Sequence, residues 1–260
     1  MKQAHIDHGR SFDWGKASGA YAEYRDIYPP AFYEHLLARG VCGKGQNVLD
    51  LGTGTGVLPR ALYPYGAKWT GADISENQIA EARRLSGAHG MDIRYIVSSA
   101  EALELPDESF DTVTACQCFM YFDNDEAARN ICRMLKPGGR LMVLFMAWLP
   151  DESEMAAASE KLILKYNPNW TGCGMQRSDA KQPTSTLPYF RLTYKEAYLT
   201  PVEFTRESWH GRLTACRGTA ASMTPETLAA WEEAHKKLTA TFPERFVIPH
   251  WVTLAELTKK

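Results

Sequence analysis

The chain has no dense block of charge of either sign: 29 Lys and Arg stand against 31 Asp and Glu in 260 residues, a formal charge of -2. A basic nucleic-acid footprint is therefore missing, and no nucleic-acid partner is expected. Nor is there a long apolar run, because the longest, Leu141 to Leu149, falls far short of the ~20 residues that a membrane helix needs. The start, Met1 to His8, carries no apolar signal core, so a cytoplasmic protein without a membrane partner is expected. Cysteines are few: Cys42, Cys116, Cys118, Cys132, Cys173 and Cys216, with only Cys116-Gln117-Cys118 close together. That spacing is too tight for the usual zinc pairs, so free thiols and no metal are expected. Internal repeats and low-complexity segments are absent. At 45% hydrophobic and 23% charged residues the composition excludes disorder, collagen and coiled coil. The length suits one large α/β domain, or a domain with an elaborated second part.

What is present is alternation. A helix is signalled over 31–39, with Pro30 near its start and Gly40 past its end. Val48 to Leu51 reads as a buried strand, followed by Gly52-Thr53-Gly54-Thr55-Gly56 and then apolar residues at helical spacing. A strand Lys68 to Asp73 leads to Ser75, a helix cap with Gln78 completing a capping box, and a helix through His89. Strands at 93–97 and 112–116, a helix capped through Asp123-x-x-Glu126, the turn 136–139 and a strand at 140–145 continue the series. Strands alternating with helices argue a parallel, doubly wound sheet. Beyond Trp148 come a helix over 151–166, a loop from Asn167 to Leu187 too long to be filler, and a strand near 195–199. Helices at 206–215 and after Thr224-Pro225, and a strand at 246–254, end the chain.

The glycine loop lets the backbone turn tightly and approach a ligand with no side chain in between. It is not a dinucleotide fingerprint, since Val57 stands where a third spaced glycine belongs, and no Walker lysine follows. Asp73 ends the next strand, where a carboxylate can accept both hydrogens of a ribose diol. Together these point to a nucleoside without a pyrophosphate.

Val48-Leu49-Asp50-Leu51-Gly52-Thr53-Gly54-Thr55-Gly56 resembles motif I of the class I S-adenosylmethionine (SAM) dependent methyltransferases, and Asp73 matches their ribose-binding acid. Ala100-Glu101-x-Leu103-x-Leu105-Pro106 with Ser109-Phe110-Asp111 is similar to the segment that passes the adenine, and Leu135 to Leu141 to the turn into strand five. The resemblance, of the small-molecule, methyltransferase type 11-like branch, spans 48–146 with its motifs in order. It implies a seven-stranded, mostly parallel Rossmann-like sheet with a helical lid, SAM as cofactor and S-adenosylhomocysteine as product. The cofactor would be held by Tyr21, Arg25, Asp50, Gly52, Thr53, Gly54, Gly56, Asp73, Ile74, Gln78, Ser99, Ala100, Glu101 and Gln117. Ser99 stands where the family often has an acid for the adenine amino group, so the Ala100 backbone or Glu101 would share that task. The parts expected are an N-terminal cap (1–40), a SAM-binding core (41–147), a lid insertion (148–190) and C-terminal strands and helices completing sheet and pocket (191–260).

Methyl transfer is an in-line displacement, and a base is needed only where the nucleophile is protonated. His210 and His250, beside Trp209 and Trp251, are the candidates, although a His beside Trp is more often a packed, hydrogen-bonded residue. The Asp/Asn-Pro-Pro-aromatic motif of DNA amino-methyltransferases is replaced by Gln117 to Phe122, which favours a small-molecule acceptor. Cys118, Tyr121, Phe122, Trp148, Trp170, Cys173 and Cys216 are the candidate acceptor-pocket residues, with core packing as the plainer alternative for the rings. Two other readings stay open: a thiophilic acceptor such as a metalloid, met by thiolates, and a SAM-binding module without turnover. Oligomeric state is not legible.

Overall fold

A computed structural model describes residues 5–260; the expectation that rests on Met1 to Ala4 lies outside them. The chain divides into two compact units, each assembled from three stretches. One comprises Tyr28–Met146, Ser178–Tyr198 and Val252–Lys260; the other takes the chain up to Ile27, Ala147–Arg177 and Leu199–Trp251. The four segments delimited in the sequence are thus distributed over two interleaved units.

The strands are β1 (Asn47–Leu51), β2 (Lys68–Asp73), β3 (Arg94–Val97), β4 (Phe110–Cys116), β5 (Leu135–Trp148), β6 (Phe190–Thr205) and β7 (Arg245–Lys259). They form one seven-stranded sheet in the order β3-β2-β1-β4-β5-β7-β6. The pairs β1–β2, β1–β4, β2–β3 and β4–β5 are parallel, with Asp50 opposite both Gly71 and Thr114. Chain order reverses at β1, so the crevice beyond the carboxyl ends of β1 and β4 is the place where such sheets take ligands. The mostly parallel, Rossmann-like sheet expected from the sequence is what the chain forms.

In the first unit, Leu49, Leu51, Val113, Ala115 and Leu141 are buried against Ile131 and Met134 of α5 (Asp125–Met134). The helices α2 (Pro30–Ala38), α3 (Val57–Leu62) and α4 (Glu76–Ala88) begin near the expected positions, and Ser75 Oγ accepts the Gln78 N–H. One cap is corrected: Asn124, not Asp123, accepts the Ala127 N–H at 2.9 Å to start α5. Asp123 instead accepts from Ser185 N at 3.3 Å and from its hydroxyl, a long-range pairing that local sequence does not show. The expected turn 136–139 lies within β5, with Gly138 at φ 72 and a register shift against β4 between Phe110 and Thr112. The strands β6 and β7 run well past their expected ends. Most of β6 is half-exposed at the sheet edge and lacks the apolar run that would announce it.

The second unit contains α1 (Ser18–Tyr24), α6 (Glu154–Tyr166), α7 (Arg206–Thr214) and α8 (Pro225–Thr239). Its centre is Trp209, fully buried, edge-on to Trp148 and Phe204 at centroid distances of 5.5 and 5.1 Å. The Trp209 indole N–H donates to Ser159 Oγ at 3.0 Å, and Gly211 lets the Tyr24 ring of α1 lie against the α7 backbone. The N-terminal stretch is tied down through Asp7. Its carboxylate meets Arg217 Nη1 and accepts the Thr171 N–H, both at 2.8 Å. No helix among the described residues is long and apolar enough to cross a membrane.

Candidate functional site

Beyond β1 the chain makes a loop that only glycines take without strain, with φ of 60, 56 and 76 at Gly52, Gly54 and Gly56. Two of these glycines also mark close approaches. A Cβ on Gly52 would lie 2.7 Å from Cys118 Cβ, and one on Gly56 would lie 2.3 Å from the Tyr95 hydroxyl. Tyr95, missed in the sequence reading, is fixed by a 2.8 Å bond to Ser86 Oγ. Gly71 on β2 is required for the same reason, since a Cβ there would meet Thr53 Oγ1 at 2.8 Å and the Tyr95 ring at 2.9 Å.

Asp73 closes β2 beside this loop. Its Oδ2 accepts the Gly54 N–H and its Oδ1 the Ser75 N–H, each at 2.9 Å. Burial pushes its carboxyl above the usual carboxylate range, while the N–H groups of Ser75, Gly54 and Ile74 hold it back. Each oxygen keeps a lone pair beyond the one it has used, so the group can still accept from a diol. Asp50, fully buried, accepts the Thr114 hydroxyl at 2.6 Å. Desolvation lifts its carboxyl to about 7, against the Thr114 and Thr53 hydroxyls and with help from Asp73.

After β4 the chain turns at Gln117, φ 65, whose N–H donates to Leu144 O at 2.8 Å and whose side-chain amide donates to Met146 O. Cys116 and Cys118 therefore do not continue one strand face. The Cys118 thiol donates to Leu51 O at 3.1 Å beneath the glycine loop, and burial raises its pKa well above an ordinary thiol. Cys116 Sγ donates to Tyr28 OH at 3.4 Å. Phe119 and Phe122 pack at 5.2 Å between ring centroids, and Tyr121 is half-buried against the same core.

The segment Ser99-Ala100-Glu101 is held from α5. Asn130 Nδ2 donates to Ala100 O at 2.8 Å and to Leu103 O at 3.0 Å, Asn124 donates to Glu101 Oε1 at 2.8 Å, and Ser99 Oγ accepts the Ala102 N–H. Asn130 was missed, although a lone amide amid the apolar positions of a strongly amphipathic helix was a signal. Ile74, 52% exposed, and the buried Gln78 follow Asp73.

The remaining candidates lie in the other unit. The Arg25 guanidinium stands 5.2 Å from the Tyr21 ring. Trp148 donates to Glu160 Oε1 at 2.6 Å and carries the Arg212 guanidinium at 5.0 Å over its ring; neither Glu160 nor Arg212 was anticipated. Trp170 fills the space that a Cβ on Gly172 or Gly218 would take, and the Cys173 thiol donates to its carbonyl at 3.8 Å. Cys216 Sγ accepts from Arg212 Nη1 at 3.1 Å. His210 Nδ1 meets His235 Nδ1 at 2.8 Å in a stack with Trp231, and burial lowers the two to about 4 and 3. His250, fully buried, pairs Nδ1 with Ile248 O at 2.9 Å and falls to about 3. Each of the candidate thiols is engaged locally, and no group of three His, Cys, Asp or Glu able to hold a metal occurs among the described residues, so nothing favours the thiophilic acceptor.

Residues 49–143 match a family model described as a methyltransferase domain. The chain is 42% identical over 102 residues to a demethylmenaquinone methyltransferase of Thermus thermophilus, which covers 38% of this chain and 46% of that protein. It is 35% identical over 161 residues to a ubiquinone biosynthesis O-methyltransferase of Pseudomonas entomophila, covering 61% of this chain and 68% of that one. Among solved structures, the BH2331 protein of Bacillus halodurans superposes with a TM-score of 0.54 at 17% identity, covering 86% of this chain and 97% of that one. The [4+2]-cyclase SpnF superposes with a TM-score of 0.54 at 21% identity over 88% and 80% of the two chains. At those identities the structures speak to fold alone, and a fold can host several chemistries. The order of motifs along the sheet and the relatives agree: this chain belongs to the class I S-adenosylmethionine-dependent methyltransferases.

Proposed function

We propose that the chain transfers the methyl group of SAM to a small-molecule acceptor, with the cofactor seated on the glycine loop and Asp73. The observation that carries this reading is the Asp73 carboxylate, fixed by the Gly54 and Ser75 N–H groups at the mouth of a loop whose glycines leave the backbone bare. The residues fit a nucleoside: Asp73 has lone pairs left for a ribose diol, Ile74 offers an exposed apolar face beside it, and Ser99 to Glu101 offer backbone and side-chain polar groups. Asp50, poised near 7, suits a cationic group, which would draw it fully into the carboxylate form. SAM would supply an electrophilic methyl on a sulfonium. The chain's own contribution is alignment, holding a nucleophile about 3 to 3.5 Å from that carbon. The names of the relatives support an acceptor of quinone-precursor type, and Tyr121 and Phe122, in the same unit as the glycine loop, supply aromatic surface for one.

The test is calorimetric titration with SAM and S-adenosylhomocysteine, followed by assay of S-adenosylhomocysteine release against hydroxylated aromatic acceptors. Binding of both with turnover is expected. Binding without turnover across the panel would leave a cofactor-binding module, and binding of NAD in place of SAM would overturn the reading.

A further inference from the structure

Between β3 and β4 the chain runs from Ser98 to Ser109 without a regular element, inside the unit that holds the glycine loop. A buried loop of this kind must find partners for its backbone polar groups outside any ladder. Its start is pinned beside the acid, since Ser98 N–H donates to Asp73 O at 2.9 Å. Its side chains Ala100, Leu103 and Leu105 are buried in the same core as Ala127 and Ile131 of α5.

The loop carbonyls are taken one after another. Ser98 Oγ donates to Ser99 O at 3.0 Å. The Asn130 amide donates to Ala100 O at 2.8 Å, Leu103 O at 3.0 Å and Glu101 O at 3.3 Å, and Arg133 Nη1 donates to Leu105 O at 2.7 Å. The amide is itself oriented, because Asn130 Oδ1 accepts from Arg133 Nη2 at 2.7 Å and Nε at 3.1 Å. In a planar trans peptide the next N–H points opposite to the carbonyl. With the Ala100 and Glu101 carbonyls drawn to Asn130, the N–H groups of Glu101 and Ala102 therefore point away from it. Ala102 N–H meets Ser99 Oγ at 3.2 Å. No acceptor among the described residues reaches the Glu101 N–H.

Residue 101 thus offers two unlike groups. One is this backbone donor; the other is a carboxylate acceptor held by Asn124, whose amide donates to Glu101 Oε1 at 2.8 Å. A donor and an acceptor together match a ligand edge that carries an acceptor beside a donor. The Watson–Crick edge of adenine, with ring nitrogen N1 next to the exocyclic 6-amino group, is such an edge. A 6-oxo purine presents the reverse pattern and is mismatched at both positions.

Resting on the reading of the crevice as a SAM site, we propose that Asn130 on α5 and Asn124 at its cap are positioning residues for the cofactor's base. Asn130 turns the backbone so that Glu101 N–H donates to N1, and Asn124 aims the Glu101 carboxylate at the 6-amino group. The Ala100 carbonyl, turned toward Asn130, takes no part.

The probes are S-adenosylhomocysteine, its analogue with C–H in place of N1, and its analogue with hydrogen in place of the 6-amino group, each titrated calorimetrically against the full chain. The parent should bind about tenfold more tightly than either analogue, the effect of one hydrogen bond removed with its partner left unmet. Asn130→Asp keeps the shape and the acceptor for Arg133 but has no hydrogen to donate. It should weaken the parent and erase its preference over the N1 analogue. Asn124→Ser retains a helix cap without the amide, and should erase only the preference over the 6-amino analogue. A merely structural role would weaken all three ligands by the same factor, so equal losses in both variants overturn the proposal. So does a wild-type chain that binds the parent and both analogues alike. If the parent itself fails to bind the folded chain, the cofactor reading is overturned instead.

Discussion

Replacing Gly52 by Ala tests the packing under the glycine loop. The residue has φ 60, a conformation that costs an L-residue about 1 to 2 kcal/mol. The new methyl would also sit 2.7 Å from Cys118 Cβ and 2.8 Å from its sulfur, and overpacking of a tight contact costs about 1 to 3 kcal/mol. A loss of about 2 to 5 kcal/mol is therefore expected, read from urea midpoints at unchanged m. The two causes separate in a double-mutant cycle. Cys118→Gly clears both offending atoms, so Gly52→Ala in that background should retain only the backbone cost, a coupling of about 1 to 3 kcal/mol. Cys118→Ala keeps the Cβ and should rescue less. Zero coupling in both cycles would refute the claim that the Cys118 side chain acts as a packing partner of the loop.

Asp73→Ala should weaken SAM and S-adenosylhomocysteine alike, by about 1.5 to 3 kcal/mol for the lost charge-assisted bonds, as measured by calorimetry. Asp50 makes cofactor binding proton-linked: with its carboxyl near 7, a cation drawn against it at pH 7 should release about half a proton, seen as a dependence of binding heat on buffer ionisation enthalpy. No buffer dependence would exclude that role. Stability should also track pH. His210, His235 and His250 fall from 6.5 to about 4, 3 and 3, so the unfolded chain binds more protons between those values, and the stability they give is full above 6.5 and lost as pH falls toward 3. Asp50 runs the other way, raised from 3.8 to about 7: its contribution is full below about 4 and lost as pH rises through 7, a slope that Asp50→Asn should remove from denaturation midpoints. Glu160→Ala should cost about 1 to 3 kcal/mol in thermal or urea unfolding, because the buried Trp148 Nε1 donor loses its acceptor, while the Gly174 N–H, on an exposed residue, can turn to water.

The glycine loop and the acid beside it were legible in the chain because they are local. A strand, three alternating glycines and an acid at the end of the next strand are neighbours in sequence, and the backbone conformations that the loop demands can be filled only by residues visible there. The sequence on its own therefore determined the sheet, the loop and the acid. It also indicated Ser75 and Thr224 as caps, but not Ser153 or Thr205, and at the start of α5 Asn124 and Asp123 are equally good acceptors and a distant serine decides between them. Only tertiary structure decided what the second unit does with its side chains. The strand β6 bears no apolar signature because it lies at an edge, and Cys118 faces the glycine loop because Gln117 turns the chain. His210 finds His235 across two helices, Arg212 of α7 lies over a tryptophan of β5, and His250 is left with one nitrogen unmet. Each of these pairings joins residues distant in sequence, and the protonation and exposure of such groups are properties of the environment that folding assembles rather than of the residues themselves.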